Sequence, residues 1–355
     1  MPIKAWKQRS QLRPLFFCWH FINTAPIQRI FQKEVTHYFC TDNYAALKIH
    51  SSFDSLKGIK NPVVTIGTFD GVHLGHKSIL KRLKEIAKEI DGETVLLSFY
   101  PHPRMVLHPD DHNIRLLSTP EEKSKQLAEA GLDHLMIYPF SVEFSRLSAF
   151  EYVRDLLVAG IGTHTVVVGY DHRFGRNREG DHNTLLELSE IFGFRVIEIE
   201  AQVISNINVS STKIRQALLS GQVSEAQEYL GYQYIITGKV VRGDQIGRTL
   251  GYPTANIQSD YPFKLIPARG IYAVRVHFGK LLFYGVMSIG VRPTINDAGT
   301  ESLEVYILNF DEEIYGENIS VEFIEYLREE KKFGSIDELK NEIENDVLKA
   351  QECFR

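Results

Sequence analysis

The chain has 355 residues, enough for two domains with separate cores. Its apolar and charged fractions, 43% and 24%, are those of an ordinary soluble protein, and a net charge of −5 gives no electrostatic case for a nucleic-acid partner. Cys18, Cys40 and Cys353 lie near the chain ends, so no disulfide framework is implied and a reducing cytoplasm fits. No apolar stretch approaches the ~20 residues of a membrane span, so no membrane partner is expected either.

Residues 1–46 carry six Lys/Arg against Glu34 and Asp42, with scattered aromatics and no clear period. Leu15 to Ile22 (LFFCWHFI) is an apolar patch behind a basic start, as in a signal peptide. It is short, interrupted by His20, and followed by no small-residue cleavage site. The segment is expected to stand outside the working part of the molecule, with a docking arm as the alternative.

Pro62 to His76 reads PVVTIGTFDGVHLGH. Val63, Val64 and Ile66 suit a buried parallel strand, Gly67 breaks it, and Asp70 and Gly71 form a turn. From Leu74 the apolar spacing becomes helical through Ile79, Leu80, Leu83, Ile86 and Ala87. A strand, a glycine turn and a helix start aim free N–H groups and a positive helix end at an anion such as phosphate. His73 and His76, three apart, face the same way. A Walker loop would need four residues between its glycines and an immediate Lys; Gly71 and Gly75 enclose three, and His76 precedes Lys77. A zinc pair or two plain surface histidines remain open from the residues alone.

Thr94 to Phe99 reads as a second strand entering a Tyr100-Pro101-His102-Pro103 turn. Helices are expected over Glu121 to Ala130, Phe150 to Ala159 with a stop at Gly160, and Leu185 to Phe192. Strands are expected at Leu135 to Ile137, Thr165 to Val168 and Arg195 to Ile199. This alternation predicts a parallel α/β sheet with ligands at the carboxyl ends of its strands. Ser210, Ser211 and Thr212 can cap a further helix, and Gln222 to Gly231 closes the first half. From Tyr234 on, short apolar runs broken by glycine predict an antiparallel barrel. A final helix begins at a Ser335/Glu338 capping box, with Ile336, Leu339, Ile343 and Val347 as its stripe onto the barrel. Arg242 to Asn256 (RGDQIGRTLGYPTAN) is a glycine-rich loop running into extended backbone, where Thr254 and Asn256 point one way. Leu303, Val305 and Ile307 form an apolar strand face, so Glu304 points to the other.

GTFDGVHLGH resembles the HxGH signature of nucleotidylyltransferases in its GxFDGVHxGH form. FYPHP, VVGYDHRFGRNREG and VSSTKIR are similar to the FxPHP, VGxDxRFGxxxxG and ISSTxIR segments of prokaryotic FAD synthetases, with Val209 for Ile. PTAN resembles the riboflavin kinase motif, and GVMSIGVRPT and LREEKKF fit that family too. Over residues 47–355 the chain thus resembles the prokaryotic bifunctional riboflavin kinase/FAD synthetase family. The resemblance implies a Rossmann-like nucleotidylyltransferase domain at 47–231 and a barrel riboflavin kinase domain with a C-terminal helix at 232–355. It also places the natural start near Leu47. It implies ATP-dependent phosphorylation of riboflavin to FMN and then adenylylation of FMN to FAD, in the cytoplasm. His73, His76, Ser210, Ser211, Thr212 and Arg215 would hold the triphosphate, with Gly67, Phe69, Gly71, Gly75 and Asp171 beside the nucleotide. Gly243, Gly247, Arg248 and Gly251 would cradle the kinase ATP, Thr254 and Asn256 would hold Mg²⁺, and Glu304 would be the base. Gln245 and Ile246 stand where the family often has basic residues. A single-activity transferase fused to a flavin-binding barrel, and a non-catalytic flavin sensor, are the rival readings.

Overall fold

A computed structural model describes residues 47–110, 114–199, 209–243, 247, 250–292 and 300–354; the 1–46 segment and Arg248 lie outside them. The first half runs β1 (Lys48–His50), β2 (Val63–Ile66), α1 (Leu74–Glu89), β3 (Thr94–Tyr100), α2 (Pro103–Leu107), α3 (Pro120–Glu129) and β4 (His134–Pro139). It continues through α4 (149–161), β5 (Thr165–Gly169), α5 (His182–Phe192), β6 (Arg195–Ile199), α6 (Ser211–Leu219) and α7 (Val223–Leu230). The strands form one parallel sheet in the order β1-β4-β3-β2-β5-β6. Strand residues alternate between its faces. Val64, Ile66, Val95 and Leu97 pack with Leu156, Leu157 and Leu185 of α4 and α5. Val63, Leu96 and Val167 pack with Leu80, Leu83, Ile86 and Leu127 of α1 and α3. Burial on both faces explains why these strands read as continuous apolar runs. The order reverses at β2 and β5, and ligands of such sheets bind at that switch point.

The second half contains β7 (Ile235–Val241), β8 (Thr254–Gln258), β9 (Gly270–Phe278), β10 (Leu281–Arg292), β11 (Thr300–Ile307), β12 (Asn318–Arg328) and α8 (Ile336–Cys353). The six strands close into an antiparallel barrel, β10-β11-β8-β7-β12-β9, which removes the exposed edges an open sheet would leave. Its core includes Tyr272, Val274, Met287, Ile289, Val305, Val321 and Phe323. Ile214, Ala217, Leu218, Val223, Ala226 and Leu230 of α6 and α7 belong to that same core, so this helical hairpin packs on the barrel.

The structure departs from the sequence expectations in four places. β1 is an added edge strand, too short at three residues to show a period. Pro103 opens a helix instead of ending a strand, since proline at the first helical position lacks an N–H that would be unpaired anyway. α4 passes Gly160 and stops at Gly162, whose φ of 70° ends it in the left-handed region; Gly160 is instead a close approach, where a Cβ would meet the Phe53 ring at 2.9 Å. Ile336 is 67% exposed, outside the predicted stripe. α8 is anchored by a buried ion pair, Arg328 Nε and Nη2 donating to Asp346 Oδ1 and Oδ2 at 2.8 and 2.7 Å.

Candidate functional site

At the carboxyl end of β2 the chain makes three left-handed excursions, Phe69 at φ 48°, Gly71 at φ 80° and Val72 at φ 33°, before α1 begins. A side chain at Gly71 would be strained there, and its Cβ would lie 2.8 Å from Leu117 Cδ1. His73 is the N-cap of α1, its Nδ1 accepting from the His76 N–H at 3.3 Å. That bond puts the ring proton on Nε2 of the neutral imidazole. The His73 and His76 rings stack at 3.7 Å between centroids and 14° between planes. The Phe69 ring stacks behind His76 at 4.4 Å. Phe69 is 3% exposed, so it backs the histidine rather than offering a face to ligand. Gly67 and Gly75 leave room for these rings: a Cβ at Gly67 would lie 2.9 Å from Phe69, and one at Gly75 3.2 Å from His73.

Burial holds both histidines neutral. The His73 pKa is pushed down to about 4, against the opposing pull of Asp70. His76 lies well below its ordinary value through burial and the neighbouring His73 and Lys123. His76 Nδ1 has no hydrogen-bond partner among the described residues.

Asp70, which reads as a turn former in the sequence, is the hub of the loop. Its carboxylate, 6% exposed, accepts from the Leu117 N–H at 2.9 Å and the Ser118 N–H at 3.3 Å, and is paired with Arg215. Arg215 Nε also donates to the Arg115 carbonyl at 2.7 Å. Ser211 Oγ donates to the Asp70 carbonyl at 3.1 Å, so the start of α6 is tied to the histidine loop. Ser210 caps α6, and Thr212 is exposed on its first turn. Asp171 is exposed just past the carboxyl end of β5, while Arg173 pairs with Asp181 at 3.0 Å.

Lys123 on α3 escaped the sequence reading. Its Nζ donates to the Thr68 carbonyl and to Ser98 Oγ, both at 3.3 Å. It lines a small cavity at the ends of β2 and β3 with Thr68, Asp70, His102 and Ser118. Burial pulls its pKa down to about 8, with Asp70 opposing, and pushes His102 down to about 4. A lone Lys in an amphipathic helix carries no sequence signal. What marks Lys123 is the strand end it points to.

A second polar cluster lies on the barrel. Asn256 pairs across with Glu304, and Thr254 with Tyr306, so all four side chains share the face opposite Leu303, Val305 and Ile307. Thr254 Oγ1 donates to Glu304 Oε2 at 3.2 Å. Asn256 is 5% exposed, and Gly243 passes so close that a Cβ there would fall 2.3 Å from its Nδ2. Gly247 crosses near the Tyr252 carbonyl, and Gly251, at φ 87°, turns the chain into β8. Tyr252 and Tyr306 meet edge to face at 5.3 Å beside this cluster. A groove of about 1580 Å³ between α1, α3 and the outer barrel wall has mixed charge and contains none of the site residues expected from the sequence.

Fold and sites define a class: an α/β unit with a buried histidine loop at its switch point, joined to a closed barrel bearing a separate carboxylate-centred cluster. Residues 57–213 match the FAD synthetase family and residues 230–354 the riboflavin kinase family. A bifunctional riboflavin kinase/FMN adenylyltransferase of Listeria monocytogenes is 37% identical over 294 residues, covering 83% of this chain and 93% of that one. One of Escherichia coli is 38% identical over 296 residues, covering 82% and 92%. A crystal structure from Streptococcus pneumoniae, described as a macrolide-efflux protein, superposes with a TM-score of 0.76 at 29% identity, covering 86% of this chain and 98% of that one. Among the described residues no helix is long and apolar enough to cross a membrane. The chain belongs to the family of bifunctional riboflavin kinase/FMN adenylyltransferases.

Proposed function

We infer that the chain makes both flavin cofactors: the barrel phosphorylates riboflavin to FMN with ATP, and the α/β half joins AMP to FMN, giving FAD and pyrophosphate. The observation that carries this is the pair of stacked, neutral histidines at a helix start, in a chain that separately pairs a carboxylate with a Thr/Asn strand. Neither half alone accounts for the other.

In the adenylyl step, the FMN phosphate oxygen attacks the α-phosphorus of ATP and pyrophosphate leaves. The charge that grows on the phosphate oxygens calls for fixed donors. Neutral His73 supplies Nε2–H, the free N–H groups of α1 add their dipole, and Lys123 supplies a cation. Asp70 would repel the phosphates by itself, but Arg215 offsets it and keeps the guanidinium at the site. Ser210 and Thr212 lie at the start of α6, where hydroxyls and N–H groups suit the outgoing pyrophosphate. Phe69, Gly67, Gly71 and Gly75 shape the loop, and Asp171 borders the nucleotide from β5.

In the kinase step, Glu304 takes the proton from the attacking riboflavin hydroxyl. Thr254 and Asn256 would hold Mg²⁺, an ion that in such sites relies largely on water and substrate phosphates, through their side-chain oxygens. When bound, the ion would neutralise charge on the ATP phosphates. Gly243, Gly247 and Gly251 would line that ATP, and Arg248 would add a cation to it. Both steps consume ATP, which supports a cytoplasmic enzyme.

Incubation with riboflavin, ATP and Mg²⁺, with FMN and FAD resolved by chromatography, tests the whole reading. Replacing His73 and His76 by Ala should lower FAD formation by roughly 10²–10³ and leave FMN formation intact. A folded double variant that stops making FMN would contradict the assignment of these rings to the second step alone.

A further inference from the structure

The histidine loop is not held by its own sheet alone. Asp70 and Gly71 rest on the segment just before α3: Leu117 and Ser118 donate their N–H groups to Asp70, and Ser118 Oγ accepts from the Gly71 N–H at 3.2 Å. That segment is in turn held by the second half of the chain. The Leu116 N–H donates to the Phe263 carbonyl at 2.7 Å, and the Leu265 N–H to the Leu116 carbonyl at 2.8 Å. Between them sits Lys264, 3% exposed, whose Nζ donates to the Leu117 carbonyl at 2.7 Å and to Glu122 Oε2 at 2.5 Å. The same ammonium lies 4.3 Å from the centre of the Tyr234 ring. Tyr232 reaches the loop from the same side, its hydroxyl donating to the Gly71 carbonyl at 2.6 Å.

One residue, Leu117, is therefore gripped through the peptide groups on both its sides. Its N–H holds Asp70, which carries the histidine loop, and its carbonyl is held by Lys264. A surface contact between two halves would not need a buried cation at this point, because desolvating a charge is costly and is sustained only by good geometry. We propose that Lys264, contributed by the kinase half, is a positioning residue for adenylyl transfer: it fixes the Leu117 peptide and, through Asp70, the loop of His73 and His76. The proposal rests on the reading of that loop as the adenylyl-transfer site. Small displacements of a reacting group lower the rate without weakening substrate binding, so the signature is a loss in kcat.

The test uses the full chain. Lys264→Met alone would strand the Glu122 carboxylate, so the informative variant is Lys264→Met with Glu122→Gln. The neutral pair removes the buried charges together, and Gln can still complete the cap on Thr119. Its urea midpoint should stay near that of the wild type, and riboflavin phosphorylation should be unchanged. FAD formation should lose about tenfold in kcat, with KM for ATP and FMN held within about twofold. Lys264→Gln with Glu122→Gln, neutral but still a donor to the Leu117 carbonyl, should recover part of that loss, and it carries the test should the Met-containing pair not fold. Wild-type kcat for FAD formation in the folded variants, or an equal fall in both activities, overturns the proposal. His73→Ala/His76→Ala, assayed alongside, separates the two failures: if it still makes FAD, the site reading has failed; if it does not while the Lys264 variants run at full rate, only the positioning role has.

Discussion

At the scale of single residues, titration behaviour gives the sharpest expectations. His73 is neutral when folded because burial depresses its pKa to about 4. The unfolded chain binds a proton there near 6.5, so stability is full above that value and is lost as pH falls towards 4. Between pH 7 and pH 5 this ring alone accounts for about 2 kcal/mol. His50, also buried and also pushed down to about 4, acts in the same direction. Urea unfolding at pH 7 and pH 5 should show a marked loss, reduced in His50→Gln; equal midpoints would mean that the rings are not buried in solution. Lys123 works on the alkaline side. Its pKa of about 8 means the cation is present below that pH and lost above it, so FAD formation should fall through pH 8. Lys123→Arg should move that limb upward, and Lys123→Met should cost roughly 10² in rate. A pH profile unmoved by Lys123→Arg would separate the lysine from the chemistry. Glu304→Gln keeps the shape of the barrel site but removes its base, so FMN formation should drop by roughly 10²–10⁴ with riboflavin binding retained. Near-normal turnover would return Glu304 to a plain strand position.

At the scale of elements, α8 shows where sequence reasoning works and where it stops. The Ser335/Glu338 pattern finds its start, and Ser335 Oγ does accept from the Glu338 N–H at 3.2 Å. The apolar period does not reveal that one of its two buried side chains is Asp346, because a buried carboxylate is legible only once its partner Arg328 is seen. Asp346→Ala removes a bidentate partner and leaves Arg328 with Glu342 at 3.3 Å, which should destabilise the fold by about 2 kcal/mol; a urea midpoint unchanged from wild type would exclude a structural role for the pair. The same limit explains the sites. His73, His76, Thr254, Asn256 and Glu304 are readable because each sits in a strand or turn whose period tells where side chains point. Asp70, Lys123 and Lys264 are not, because their meaning comes from partners 47, 25 and 142 positions away in the chain.

At the scale of the whole molecule, the boundary near Gly231 that the change of texture suggests cuts through a shared core. α6 and α7 precede it, yet six of their side chains pack with the barrel. A fragment of residues 209–355 should therefore fold and phosphorylate riboflavin without making FAD. A fragment of residues 232–355 leaves that apolar face uncovered and should be the less stable of the two, read as a lower urea midpoint; equal midpoints would restore the boundary at 231. The bonding between Leu116 and the residues flanking Lys264 has a consequence in time as well as space. A chain made from its amino end completes all six parallel strands long before Lys264 is synthesised, so the first half can collapse around its sheet while its histidine loop still lacks an outside brace. A ribosome-bound nascent chain whose exposed part stops short of Lys264 should already protect its β-strands from hydrogen exchange. Its Asp70-to-Val72 amides should gain protection only when the stall is moved far enough downstream for Leu265 to emerge.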